Sequence, residues 1–186
     1  MATLFSLAED IRKCTACPLW KNTTLAVPCD GPKDAKVMIV GEAPGEEEDR
    51  QGLPFVGRSG KLLDKMLSIA CLDRKEVFIT NIVKHRPPQN RAPKASEIKV
   101  CKGLLLDEQI EILKPKLIVI LGGVALKTLT KESSVEKLHG KIIEKRRSDP
   151  QYFVTFHPSV ALRFPEKRKK MEDDFRKLKK MLEKGI

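Results

Sequence analysis

The segment Gly41–Leu67 contains the residues of this chain that are best suited to chemistry. It follows a short apolar run, Val37–Val40, which has the length and β-branching of a buried strand. Its glycines let the backbone approach a ligand closely, and it also carries four consecutive acids, Glu46–Asp49, and the aromatic Phe55. A loop that only cradles phosphate would not carry so much negative charge. We therefore predict that the segment forms one wall of an active site.

The elements that must position this wall follow from an alternation of apolar runs and helical patterns. Besides Val37–Val40, strands are predicted at Val77–Val83, Leu117–Leu121 and Tyr152–Phe156. Helices are predicted at Ser59–Ile69, Ser96–Leu113 and Gly122–Leu129, and from Pro165 onward. This order predicts an α/β fold: a three-layer α/β/α sandwich with a central, mostly parallel four-stranded sheet. We expect residues 1–186 to form a single domain.

Sheets of this kind bind ligands beyond the carboxyl ends of their strands. Glu42 directly follows the first strand, Asn81 lies near the end of the second, and His157 directly follows the fourth. An acid, an amide and a histidine should therefore meet Phe55 at one rim of the sheet. The chain has no Ser-His-Asp order, Walker loop or dinucleotide-binding glycine pattern.

The balance of charge favours a polyanionic partner. The chain of 186 residues has a formal net charge of +11, and 33% of its residues are charged. A Lys/Glu-rich thermophile surface would explain the density of charge but not its sign. No apolar run approaches the roughly 20 residues of a membrane span, and the first residues do not form a secretion signal. We expect an intracellular protein of the prokaryotic cytoplasm without membrane contacts.

Two of the five cysteines form a CxxC pair, Cys14 and Cys17. An odd number of cysteines without a secretion signal argues against a disulfide framework. A redox dithiol would be expected at a strand-to-helix turn, whereas this pair lies in an N-terminal segment and is followed by Pro18. Metal ligation is therefore the favoured interpretation.

Three motifs together resemble the iron–sulfur uracil-DNA glycosylases of the family-4 type. They are GEAPGEEEDRQGLPFVG at residues 41–57, ITNIVKHRPPQNRAP at residues 79–93 and FHPS at residues 156–159. The resemblance extends from Cys14 to the final helix. It implies a DNA-repair enzyme that hydrolyses the N-glycosidic bond of uracil flipped out of DNA and leaves an abasic site.

The resemblance also implies roles for the residues at the rim. Phe55 matches the aromatic that stacks on the flipped uracil, and Asn81 matches the amide that pairs with the uracil edge. His157 matches the histidine that hydrogen-bonds uracil O2 as negative charge develops there. Glu42 matches a carboxylate near the sugar and Glu48 a second acid beside the base. The adjacent residues of the same substrate-binding motif are Gly41 and Ala43.

DNA contacts are expected from basic segments around this rim. Lys84, Arg86, Arg91 and Lys94 follow the second strand, and we favour phosphate contacts for Arg86 and Arg91. Ser159 and Arg163, with Leu162, match the place where the family inserts a loop into DNA. Further positive charge lies at Lys145–Arg147 and Arg163–Lys170.

In the family, four cysteines hold a [4Fe–4S] cluster, and Cys14, Cys17 and Cys101 match three of them. The fourth position is His85. Three readings stay open: His85 ligates the cluster, a three-cysteine cluster or zinc takes its place, or His85 reacts with DNA as in relatives that bind uracil-DNA covalently. The basic insertion of those relatives is absent here, with Arg86 following directly. Cys29 and Cys71 lie outside the pattern.

The resemblance thus predicts a monomeric, monofunctional hydrolase with an N-terminal cluster-binding segment. The alternative is a non-catalytic or covalently uracil-trapping protein that binds damaged DNA on the same scaffold. An iron–sulfur electron carrier would not need the pocket formed by Asn81 and His157. A contact with a replication sliding clamp cannot be read from the sequence.

Overall fold

The computed structural model describes residues 2–143 and 150–185. Its centre is a five-stranded sheet with the spatial order β2-β1-β3-β5-β4. The strands are β1 (Val37–Gly41), β2 (Val77–Asn81), β3 (Leu117–Leu121), β4 (Ile142–Ile143) and β5 (Gln151–Thr155). The predicted, mostly parallel sheet is confirmed, with one strand more than the four expected. The additional strand β4 pairs antiparallel with β5, and its two residues are too few to form an apolar run.

Both faces of the sheet are covered, as predicted for a three-layer sandwich. Alternate side chains of a strand point to opposite faces, so Met38 and Val40 of β1 enter one core while Val37 and Ile39 enter the other. The first core also contains Ile11, Leu113 and Leu126, which come from three helices on one side of the sheet. The second contains Leu63, Met66 and Phe175 from the opposite helical layer. Burial on both faces explains why the strands have continuous apolar runs.

Nine α-helices lie within the described residues. They are α1 (Leu4–Arg12), α2 (Glu46–Gln51), α3 (Arg58–Ile69), α4 (Ala95–Cys101), α5 (Asp107–Leu113), α6 (Gly123–Thr130), α7 (Val135–Leu138), α8 (Pro158–Arg163) and α9 (Pro165–Glu183). Three of the four predicted helices correspond to α3, α6 and α9. The fourth, Ser96–Leu113, is interrupted by a π-helical turn, Lys102–Leu106, which separates α4 from α5.

The four acids Glu46–Asp49 form the first turn of α2 and are not part of an irregular loop. Carboxylates are favourable at this end of a helix because its free amides carry partial positive charge. Glu48 and Asp49 are buried, whereas Glu46 is exposed. The concentration of negative charge on this segment is therefore explained in large part by helix formation.

Within residues 2–143 and 150–185, no helix is both long and apolar enough to cross a membrane.

The strand order reverses at β1, which pairs with β2 on one side and β3 on the other. Such a reversal opens a crevice beyond the carboxyl ends of the strands. The segments that leave β1, β2 and β5 at this edge carry the residues that the sequence predicts for the active site.

Candidate active site

A cavity of about 380 Å³ lies at this edge of the sheet. It combines acidic, amide, imidazole and aromatic side chains. Its wall is formed by Glu42, Ala43, Pro44, Gly45, Glu48, Phe55, Ser59, Asn81, Pro87, Asn90, Arg91, His157, Ser159 and Arg163.

Strand pairing fixes one corner of the cavity. Gly41 is the partner of Asn81 in the parallel register between β1 and β2. A Cβ atom on Gly41 would lie 2.4 Å from Asn81 Oδ1 and 2.5 Å from Cζ of Phe55, closer than real Cβ contacts. Gly41 is therefore needed because the amide and the aromatic ring both pack directly against its backbone. The predicted substrate-binding residue Gly41 lies behind the cavity wall, whereas Ala43 is part of it.

Asn81 presents an unused acceptor. Its side chain is 1% exposed, and Oδ1 is buried without a hydrogen-bond partner among the described residues. Leaving a buried acceptor unpaired costs about 1–3 kcal/mol. Such a cost is typical of a position where a ligand supplies the missing donor.

His157 presents an unused donor. Its Nδ1 accepts the backbone N–H of Ser159 at 3.2 Å and lies 2.8 Å from Ser159 Oγ. Because an amide N–H can only donate, the ring proton must reside on Nε2 in the neutral imidazole. Nε2 is buried and has no partner within the described residues. Burial lowers the pKa of His157 to about 4, so the ring is neutral near pH 7.

Phe55 lies between these two groups. Its ring centroid is 5.9 Å from that of His157, with 39° between the ring planes, and the residue is 5% exposed. Its backbone has φ of 54°, the left-handed region that a bulky residue rarely adopts. Strain of this kind costs about 1–3 kcal/mol and persists only where surrounding contacts enforce it.

The two acids at the cavity have different surroundings. Burial raises the pKa of Glu42, which lines the cavity. Glu48 instead accepts hydrogen bonds from the backbone N–H groups of Gly57 at 2.8 Å and Gly45 at 3.1 Å. These bonds join the two ends of the segment that carries Phe55. The structure thus distinguishes the two carboxylates, which residue spacing alone does not.

Comparison with known protein families matches residues 28–183 to the uracil DNA glycosylase superfamily. This match covers well over half of the chain. The chain belongs to that superfamily.

Type-4 members of the superfamily are similar to the chain over nearly its full length. It is 43% identical to the type-4 uracil-DNA glycosylase of Sulfurisphaera tokodaii, covering 97% of this chain and 86% of the relative. The corresponding enzyme of Saccharolobus solfataricus is 43% identical, with 98% and 88% coverage. That of Thermotoga maritima is 42% identical, with 96% and 94% coverage. The family-4 type resemblance is confirmed.

Three of the four residues predicted to contact DNA line the cavity of this superfamily member. Ser159 and Arg163 are exposed at its mouth, beside the exposed apolar Leu162. Arg91 lines it as well, while forming two hydrogen bonds to the buried carboxylate of Glu97, at 2.7 and 2.9 Å. Arg86 lies outside the wall and donates to Asn90 Oδ1 at 2.8 Å.

Part of the predicted basic segment Arg163–Lys170 is paired with an acid. Lys167 and Lys170 both pair with Glu136, so these two cations are already partly neutralised. The predicted segment Lys145–Arg147 lies outside the described residues.

The expectation of a phosphate contact from Lys84 was wrong. Lys84 is 0% exposed, and its Nζ donates to Thr80 Oγ1 at 2.6 Å, Gln109 Oε1 at 2.6 Å and the Asn81 carbonyl at 2.8 Å. Burial lowers the pKa of its ammonium group to about 8. Charge alone indicated a surface cation, because Gln109 approaches from a helix 25 residues further along the chain.

Sequence motifs did not single out Ser59 and Asn90, which also line the cavity. Asn90 has φ of 55°, a conformation that asparagine tolerates better than most residues. The Pro-Pro-Gln-Asn turn that contains it was the available signal. Ser59 lies in the first turn of α3, where only the position of the helix could have indicated a role.

The predicted metal ligands are only partly brought together. Cys14 and Cys17 are half-buried and Cys101 is buried. Burial raises the pKa of Cys17 and of Cys101; Cys14 adds to the rise at Cys17, and Cys17 and Cys14 add to the rise at Cys101, so the three thiols lie close together. His85 is buried, and burial lowers its pKa. The charged group that partly offsets this shift is Asp49 and not one of the three cysteines. In the described residues, no three His, Cys, Asp or Glu side chains are arranged to hold a single metal ion. Whether His85 completes the set stays a prediction.

Gly41→Ala tests the corner of the cavity. The added methyl group would clash with both Asn81 and Phe55, so we expect a destabilisation of about 1–3 kcal/mol, which corresponds to roughly 2–4 °C in melting temperature per kcal/mol. Thermal unfolding followed by circular dichroism measures this. Gly103→Ala is the matched control, since its added Cβ would meet no described atom within 4 Å apart from its chain neighbours and its own helix. Equal melting temperatures for the two variants would contradict the packing described.

Proposed function

We propose that the protein is a monofunctional uracil-DNA glycosylase that removes uracil from DNA by hydrolysis. The observation that carries this proposal is a pair of buried atoms on the cavity wall that have no hydrogen-bond partner within residues 2–143 and 150–185: the acceptor Asn81 Oδ1 and the donor His157 Nε2–H. Uracil offers a donor at N3–H and acceptors at O2 and O4, so it complements both atoms. Cytosine has an acceptor at N3 and would leave Asn81 Oδ1 unpaired.

In the proposed complex, the flipped uracil lies on the Phe55 ring with its edge toward Asn81. Stacking on an aromatic contributes about 1–3 kcal/mol per base and is independent of the sequence around it. The Asn81 carbonyl oxygen accepts from N3–H, and its amide group donates to O4. The cavity requires that the base leave the helix before it can reach these groups.

Cleavage of the glycosidic bond leaves negative charge on uracil and positive charge on the sugar. We propose that His157 Nε2–H donates to O2, where it stabilises charge that exists only in the transition state. A neutral imidazole is sufficient for this role and needs no proton transfer. Glu42 would face the sugar, where its carboxylate stabilises the developing positive charge and holds the attacking water. Glu48 contributes indirectly, by bracing the segment that carries Phe55.

DNA would approach the cavity mouth along Arg86, Arg91, Ser159 and Arg163. Contacts of these groups with phosphate position the duplex without reading its sequence. The exposed side chain of Leu162 lies among them and is suited to fill the gap left by a flipped base.

Uracil excision is tested with an oligonucleotide that contains one uracil. We expect strand cleavage only after alkali treatment, since hydrolysis leaves an abasic site. His157→Ala and Asn81→Ala should each slow excision by roughly 100- to 1,000-fold, because each removes a preorganised hydrogen bond to the base. Binding to an abasic oligonucleotide should stay close to wild type in both variants. A denaturation-resistant adduct, or tight binding without cleavage, would contradict the glycosylase and favour the DNA-binding alternative.

The pH dependence tests the assignment of Glu42. Its carboxylate must be ionised, and since burial raises its pKa, excision should decline on acidification at a higher pH than the ordinary glutamate value of about 4.3 predicts. His157, with a pKa of about 4, stays neutral over most of this decline and is not its source. Single-turnover rates measured against pH should show the acidic decline in wild type and in His157→Gln. If the decline persists in Glu42→Gln, the assignment is wrong.

We further propose that Cys14, Cys17, Cys101 and His85 hold a [4Fe–4S] cluster. His85 would be the fourth ligand, in the position of the family's fourth cysteine. The N-terminal segment would then be the cluster-binding part of a single domain, and Cys14 and Cys17 do pack against the core. A cluster distributes its ligands over four iron atoms and so needs a wider set than a single ion does. When bound, it would shape the surface that faces DNA.

The surroundings of Lys84 support an anionic group at this place. A buried ammonium is costly without a countercharge, and no carboxylate pairs with Lys84 in the described part of the chain. The groups whose ionisation would raise the pKa of Lys84 are the thiols of Cys101 and Cys29. Metal-bound thiolates would supply the countercharge that neutral thiols do not.

Lys84→Met should therefore lower the iron and sulfide content of the purified protein, because the thiolates lose their buried countercharge. Lys94→Met, an exposed lysine of the same segment, is the control. His85→Cys should increase cluster retention if His85 is a ligand. Iron and acid-labile sulfide per chain, together with visible absorbance, measure all three. Zinc in place of iron in the wild-type protein would refute the cluster. Equal iron content in the two lysine variants would refute the role of Lys84.

A further inference from the structure

Arg74 contacts the backbone that carries Phe55. Its Nη2 donates to the carbonyl of Pro54 at 2.7 Å, and its Nη1 donates to the carbonyl of Phe55 at 3.2 Å. One guanidinium thus binds two successive carbonyls. Arg74 itself precedes β2, lies outside the wall of the cavity and is half-buried.

Two carboxylates hold the guanidinium in place. Asp64 of α3 accepts from Nη1 at 2.9 Å, and Asp30 accepts from Nη2 at 3.3 Å. Arg74 is therefore also held by two separate parts of the chain other than the segment that carries Phe55. A planar, rigid group with several donors is required to bridge four acceptors in this way.

The Phe55 carbonyl is confined from another direction by Gly60. A Cβ atom on Gly60 would lie 1.7 Å from this oxygen, so the first turn of α3 packs directly on it. The left-handed φ of Phe55 is thus enforced by α3 below the carbonyl and by Arg74 beside it. This conformation directs the ring toward His157 and Gly41.

We propose that Arg74 is a positioning residue for the base-stacking platform, holding Phe55 in its left-handed conformation through the Pro54 and Phe55 carbonyls. It does not touch the substrate. This inference rests on the proposed function only in assigning Phe55 to the base. The geometric part, that Arg74 sets the orientation of the Phe55 ring, is independent of it.

Arg74→Lys separates the contribution of the hydrogen bonds to the two carbonyls from that of the positive charge. Lysine keeps the positive charge between Asp30 and Asp64, but its single ammonium does not reproduce the fork on two carbonyls. Displacement of a positioned group by about 1 Å can cost roughly 100-fold in rate, and we expect a loss of this order in single-turnover excision. Affinity for an abasic oligonucleotide should stay near wild type. Asp30→Asn, which keeps the carbonyl bonds and loses the weaker ion pair, should retain most of the rate.

A second readout reports the ring position without any substrate. The chain has 3 histidines, so the imidazole protons of His157 can be assigned by NMR. They sense the ring current of Phe55 and should shift in Arg74→Lys. Those of His139, which packs on Phe156 with ring centroids 4.8 Å apart, should not.

The outcomes are distinguishable. A wild-type rate in Arg74→Lys, or an unchanged His157 resonance, would overturn the positioning role. If the wild-type protein excises no uracil, the proposed function fails, while the His157 shift still tests the link from Arg74 to Phe55. If Arg74→Lys does not fold, Arg74→Gln with the same two readouts replaces it.

Discussion

The register between β1 and β2 is the constraint on which the cavity depends. It pairs Gly41 with Asn81 at the last residue of each strand, so an amide side chain and a bare backbone meet at one edge. A shift of one residue would turn Asn81 to the other face of the sheet. Any side chain at the position of Gly41 would displace the Phe55 ring. The geometry of this part of the cavity is therefore set by the pairing of two buried strands, before any loop is considered.

The unpaired side chain of Asn81 contrasts with a cluster of buried polar side chains around its neighbour Thr80. Thr80, Lys84 and Gln109 are fully or almost fully buried, and they satisfy one another and the carbonyl of Pro28. Asn81 Oδ1, one residue further along β2 than Thr80, has no such partner within the described residues. A chain that satisfies the buried polar atoms of this cluster leaves Asn81 Oδ1 unpaired within the described residues, at a real energetic cost. Ligand binding is the physical explanation for tolerating that cost.

The rim residues could be predicted because each one lies at or just beyond the end of an apolar run. Glu42, Asn81 and His157 are placed by the ends of β1, β2 and β5, and strand ends are visible in sequence. The bracing contacts were not predictable in the same way. Glu48 binds the backbone amide of Gly57, and Arg74 binds the carbonyl of Phe55 across 19 residues. Backbone donors and acceptors have no residue identity, so their side-chain partners leave no motif in the sequence.

Lys84 connects the wall of the cavity to the cysteines. Its ammonium donates to the Asn81 carbonyl, and its backbone N–H donates to the Cys101 thiol. The stretch from Asn81 to His85 therefore serves two sites at once, with one end in the cavity and the other among the proposed ligands. With neutral imidazole at His85, the proposed ligand set would carry one negative charge fewer than four thiolates. The single buried ammonium of Lys84 would then balance a larger share of the remaining charge. In the proposed cluster, the histidine would therefore be electrostatically compatible with the lysine that precedes it.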